Sequence, residues 1–210
     1  KAAACGVQVA SHAIGDRGNQ VVLDNYQSVL AGQGAADLRW RVEHAQVLAD
    51  ADIARFGRLG VIASMQPTHA TSDMGWAQDR VGSERIKGAY AWQRLAGSGA
   101  RLALGSDFPV EQVDPRLGLQ AAVTRQDGKG LPAGGWQADQ RLSAQQALAG
   151  FTSGAAYAGF DEREVGMLRQ GLRADFVVLD GNPLQVAGGQ LSALKVLSTW
   201  VDGAPVYQAE

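Results

Sequence analysis

Three histidines, His12, His44 and His69, are the entire imidazole content of this 210-residue chain. His12 closes a short, mostly apolar run and His44 an alternating one, and Asp107 follows a further apolar run in Gly105-Ser106-Asp107. Imidazole nitrogen and carboxylate oxygen are the ligands that a divalent zinc ion takes in catalytic sites, where one position stays open for water. An ion held this way lowers the pKa of water and polarises a carbonyl, while a nearby carboxylate handles the proton. One histidine at a strand end is more often a satisfied structural residue. Two histidines and an aspartate at equivalent strand ends point instead to a shared site.

The elements that must position them follow from the apolar pattern. Val7–His12, Arg39–His44, Val61–Met65 and Arg101–Gly105 read as strands. Val21, Val22, Tyr26, Val29 and Leu30 recur at a helical period, and Gly32 and Gly34 end that helix. Asp50 or Asp52 is placed to cap a helix carrying Ile53, Phe56 and Leu59. A long polar loop is predicted over Pro67–Ser83, then a helix to about Leu95, and a further helix over about Ser143–Ala158. Strand and helix thus alternate four times, the pattern of a parallel sheet, in which functional residues gather at the C-terminal ends of the strands. After Gly166 the texture changes. Ala174–Asp180 and Val196–Val201 read as strands, with Asp202-Gly203 as a tight turn before Val206-Tyr207, so a small separate β unit is expected.

Composition removes other classes. Hydrophobic residues make up 46% of the chain, the share of a core-forming globular protein rather than a disordered one. The formal charge of −2 speaks against an electrostatic nucleic-acid binder. The single cysteine, Cys5, closes no disulfide within the chain and reads as a packed residue. No apolar stretch approaches the ~18 residues of a membrane span. Lys1 opens the chain without a leader pattern, which reads as a piece of a longer protein or a chain matured by processing.

His12-Ala13-Ile14-Gly15-Asp16, Glu43-His44-Ala45, Gln66-Pro67-Thr68-His69 and Gly105-Ser106-Asp107-Phe108-Pro109-Val110 together resemble the amidohydrolase superfamily. Within it they are most similar to the branch of N-substituted formamide deformylase and the YtcJ-like hydrolases. Gly171–Asp180 resembles the return strand of that superfamily's small β-sandwich. The resemblance covers nearly the whole chain, in family order. It implies an α/β fold: residues 1–160 would form strands five to eight of a (β/α)8 barrel, and residues 161–210 part of the β-sandwich. It implies metal ligation by His12, His44 and Asp107, with zinc as the first choice of divalent metal and one or two ions held. It implies that Asp107 activates water and later protonates the leaving nitrogen of a small-molecule amide. The family's His-x-His pair and its strand-four ligand have no match here, so association with an upstream half, or a homo-oligomer, is expected. A cytoplasmic location, with no nucleic-acid or membrane partner, is also expected. The alternatives are an incomplete, non-catalytic fragment or an esterase-type member.

Other residues carry two readings each. Asp16 reads first as a helix N-cap, and second as a group orienting His12. Glu43 should point away from the site by strand alternation and meet an arginine. His69 and Gln66 either contact substrate or belong to a solvated loop. Arg85 either binds a substrate carboxylate or is a surface charge, the reading favoured for it.

Overall fold

The structure, a computed structural model, describes residues 1–32 and 37–210; Gly34 lies outside the described residues. The predicted alternation is present. β1 (Ala10–Ala13), α1 (Asp16–Leu30), β2 (Arg41–His44), α2 (Asp50–Leu59) and β3 (Ile62–Met65) follow in order. Then come α3 (Pro67–Asp73), α4 (Ala77–Arg85), α5 (Trp92–Gly97), β4 (Leu102–Leu104) and α6 (Pro115–Thr124). The chain continues through α7 (Ala144–Ala149) and α8 (Ala155–Ala158). The first four strands form one parallel sheet in the order β1-β2-β3-β4.

Strand alternation sends side chains to two cores. Val42, Ala63, Met65 and Leu104 pack with Leu23, Tyr26, Phe56, Trp92 and Leu95 from the helices. Their immediate neighbours Ile62 and Ala103 pack on the opposite face against Ala158 and Tyr157. Middle strands of a parallel sheet need apolar cover on both faces. The α7–α8 segment supplies it by close approach, with a π-helical turn over Gly150–Gly154. A Cβ at Gly154 would lie 2.3 Å from the Leu102 carbonyl oxygen, so only glycine lets this segment seat on β4.

Several local expectations change. The predicted loop 67–83 is largely helical, because Pro67 pre-sets the first turn of α3. The helix expected over 83–95 is broken: α4 stops at Arg85, and Tyr90 has a φ of 51° before α5 begins. α6 was not expected. Its signal is Asp114-Pro115, an N-cap whose carboxylate accepts from the Arg116 N–H, followed by proline in the first turn. Asp50 and Asp52 lie within the first turn of α2, favourable to the helix dipole, while Ala49 occupies the cap position. Asp16 likewise sits just inside α1, with Gly15 at the cap, so Asp16 is not the N-cap. Cys5 is exposed in a 3-10 turn over Ala3–Cys5 rather than packed.

The C-terminal part holds a separate antiparallel sheet of β5 (Phe176–Leu179), β6 (Val196–Val201) and β7 (Ala204–Gln208). Asp202 and Gly203 turn the β6–β7 hairpin with φ of 51° and 76°, as the sequence predicts. The chain between β5 and β6 returns to α6: Ser192 Oγ donates to Gln120 Oε1 at 2.7 Å, and Leu191 is buried. Among the described residues no helix is long and apolar enough to cross a membrane.

Two polar contacts fix the sheet relative to its surroundings. Asn19 is wholly buried in the α1 stripe that also carries Leu23 and Tyr26. Its Nδ2 lies 3.0–3.3 Å from the carbonyls of Ala13, Ile14, Gly15 and Val47. It therefore ties the exit of β1 to the segment that follows β2. At the other end of the sheet, Arg39 forms a two-pronged bond with Glu162 at 2.7 and 2.8 Å. Its guanidinium also stacks on Tyr157, 3.9 Å from the ring centre.

Two outcomes are expected. Asn19→Asp puts an acceptor among four carbonyls and should lower the unfolding free energy by about 2–4 kcal/mol, measured by urea titration. The Arg39 guanidinium holds the Glu162 carboxyl down at about 2, below its ordinary 4.5. A depressed carboxylate stabilises the fold fully above pH 4.5 and loses that contribution as pH falls toward 2. Glu162→Gln should therefore be less stable than the parent at pH 7, with the difference vanishing near pH 2 in parallel denaturation curves.

Candidate metal centre

His12 stands in β1, paired in register with Glu43, and Ala13 is paired with His44. Residues in register on parallel neighbours share a face, so regular alternation would put His44 on the Ala13 and Val42 side, under the helices. His44 instead has a φ of 75°, and Ala45 follows at 45°. This left-handed exit swings the imidazole back beside His12, with ring centres 4.5 Å apart and planes at 74°. Histidine tolerates such a backbone better than branched residues do. The same turn corrects the reading of Glu43: its arginine partner exists, as Arg41 on the same strand, but Glu43 shares the face that carries His12.

β3 ends at Met65, Gln66 is the N-cap of α3, and the helix begins with Pro67, so His69 stands in its first turn. Its side chain is only 12% exposed, which removes the solvated-loop reading. The His69 ring stacks on His44 at 5.6 Å with planes 17° apart. Asp107 lies three residues beyond β4 with a φ of 58°, and its Oδ2 is 3.6 Å from His69 Nε2. That Nε2 is buried and has no hydrogen-bond partner among the described residues. Gln66 is also buried, and its Oε1 lies 2.9 Å from His44 Nδ1.

Three donor atoms, one each from His44, His69 and Asp107, lie within 4.8 Å of one another. A zinc ion needs donors about 2.0–2.2 Å from its centre. Two imidazoles and a carboxylate, one of them with an unpartnered buried nitrogen, suit a borderline divalent cation. Of the residues singled out in the sequence, His44, His69 and Asp107 are brought together. His12 touches His44 but stands outside the trio. Gln66 contacts a ligand-type imidazole, and Arg85 does not enter the cluster. Its guanidinium is on the surface, with Nε donating to the Val81 carbonyl and Nη1 3.9 Å from Asp16. Sequence reasoning missed Asn19, although a polar residue inside an apolar helical stripe is a readable signal of a buried bonding role.

The model of the amidohydrolase family matches residues 1–207. "Protein LONG AFTER FAR-RED 3" of Arabidopsis thaliana is 42% identical over 96% of this chain and 34% of its own length. A Bacillus subtilis (strain 168) protein named as an amidohydrolase, YtcJ, is 36% identical over 99% of this chain and 39% of its own. N-substituted formamide deformylase of Arthrobacter pascens is 30% identical over 99% of this chain and 38% of its own. Among solved structures, an uncharacterized metal-dependent hydrolase from Pyrococcus horikoshii OT3 superposes with a TM-score of 0.75. It is 35% identical, over 89% of this chain and 36% of that one. The chain thus spans well under half the length of the curated relatives it matches. The chain belongs to the amidohydrolase family.

Proposed function

We propose that these residues form part of a metal-dependent hydrolase that cleaves non-peptide C–N bonds, in N-acyl or N-formyl amides. The four βα units would be strands five to eight of a (β/α)8 barrel, completed by an upstream half or a second copy. The observation that carries the reading is the convergence of His44, His69 and Asp107 from three separate strand ends, with His12 against His44. The names of two relatives, an amidohydrolase and a formamide deformylase, support the choice of a C–N bond.

His12, His44 and Asp107 would hold the cation, and zinc suits their donor chemistry. The chemistry supplied by such a cation is acidification of water and polarisation of a carbonyl. Asp107 then acts as general base: its carboxylate takes the proton of the attacking water and returns it to the leaving nitrogen. Its exposed side chain and left-handed backbone present that carboxylate at the rim, where substrate arrives. His69 Nε2, unpartnered and beside Asp107, is free to meet a polar atom of the substrate. A second reading has its own support. The 3.6 Å contact to Asp107, with no other partner among the described residues, favours His69 as a ligand in place of His12.

In the full chain, Asp107→Asn should lower kcat on an N-formyl amide by about 10²–10⁴-fold without changing the melting temperature by more than a few degrees. Near-parental turnover would remove Asp107 from the mechanism. Metal analysis after dialysis separates the two ligand sets. His12→Ala should lose bound zinc, while His69→Ala keeps it and raises KM; the reverse pattern assigns His69. A panel pairing each amide with its ester distinguishes an esterase, and a parent chain that holds no metal identifies a non-catalytic remnant.

A further inference from the structure

Gln66 occupies the N-cap position of α3 with extended backbone (φ −122°, ψ 105°), yet its side chain makes no capping bond. Capping is the ordinary use of a polar side chain at such a position. This side chain is buried instead, and its Oε1 meets His44 Nδ1 at 2.9 Å. The His44 ring is already held on two sides, stacked on His69 and edge-on to His12. Packing settles the plane of an imidazole but does not say which nitrogen carries the proton. A neutral imidazole has one N–H and one lone pair, and the partner of one nitrogen decides the state of the other.

We propose that Gln66 is a positioning residue: its amide oxygen accepts from Nδ1–H of His44 and so leaves the Nε2 lone pair as the one available to a cation. The inference rests on the metal-site reading above and adds a residue to it. Gln66 would then not contact substrate, the role its place in the sequence first suggests. The reversed amide would donate to Nδ1 and leave Nε2 protonated, unable to ligate, so the two orientations have opposite consequences. Ligands oriented by such partners typically lose about 10–100-fold in metal affinity when the partner is removed.

The test uses the full chain with ¹⁵N-labelled histidine, metal-free and well above the imidazole pKa. His44 is assigned by comparison with His44→Asn. Long-range ¹H–¹⁵N spectra should show the parent His44 protonated at Nδ1. Gln66→Leu should shift it toward the Nε2–H form and weaken zinc binding by about 10–100-fold in a chelator competition. Gln66→Glu, which keeps an acceptor oxygen, should restore the Nδ1–H form and bring zinc affinity back to within a few-fold of the parent. A parent spectrum showing Nε2–H, or a Leu variant unchanged in both readouts, overturns the proposal. The parent spectrum decides even if the Leu variant does not fold. A parent that binds no zinc refutes the metal-site reading, while the tautomer measurement still reports on Gln66 alone.

Discussion

The imidazole of His44 reaches the site because the chain leaves β2 through two successive left-handed residues. A parallel sheet points neighbouring side chains in one strand to opposite faces, and the pairing of Ala13 with His44 would have buried this ring among the helices. The reversal costs of order 1–2 kcal/mol per residue for a side chain with a Cβ, and the surrounding structure must offset it. Ala45 is fully buried, Gln46 and Val47 pack behind it, and Val47 N–H donates to the Ile14 carbonyl at 2.8 Å. The exits of β1 and β2 are therefore one bonded unit. Asn19 closes it, a buried amide that satisfies carbonyls from both exits at once.

A second support lies on the far side of the site, around α5 and α6. Arg125 ends α6 in a left-handed conformation and is completely buried. It donates to the carbonyls of Tyr90 and Trp136, and its guanidinium lies 4.3 Å from the Trp92 ring centre and 5.0 Å from that of Trp136. Burial pushes its pKa down to about 10, and Asp139 opposes that shift. Aromatic faces and carbonyl oxygens replace part of the lost hydration of the cation. The contact anchors the broken helical segment before β4 to α6 after it, and so brackets the loop that carries Asp107. Tyr90 also donates to Asp73 at the end of α3, as does Gln46 next to the β2 exit. The elements around His44, His69 and Asp107 are thus joined through one polar and aromatic network.

The βα order, the four strands, the late hairpin and the strand-end residues were legible because each is a local pattern. Alternation marks a strand, a 3.6-residue stripe marks α1, and Asp-Gly marks the turn at Asp202. The misread segments also have local causes. The stretch 67–83 has little apolar periodicity, so it reads as loop, yet Pro67 and the packing of α3 against α6 make it largely helical. The stretch 83–95 does have an apolar pattern, but Tyr90 in a left-handed conformation breaks it. Helical propensity is a weak prior that such tertiary contacts override.

By itself the sequence determined which side chains have the donor chemistry for a metal, and that His12, His44 and Asp107 stand at or just beyond the C-terminal ends of parallel strands. Residue type and the rule for βα sheets suffice for that. It did not determine the face on which His44 stands, the inclusion of His69, or the attachment of Gln66 to His44. These depend on the backbone angle of single residues and on contacts between strands that are distant in the chain. No periodicity records such a choice: a turn of one φ through positive values moves a ring from one face of the sheet to the other while the sequence pattern stays the same.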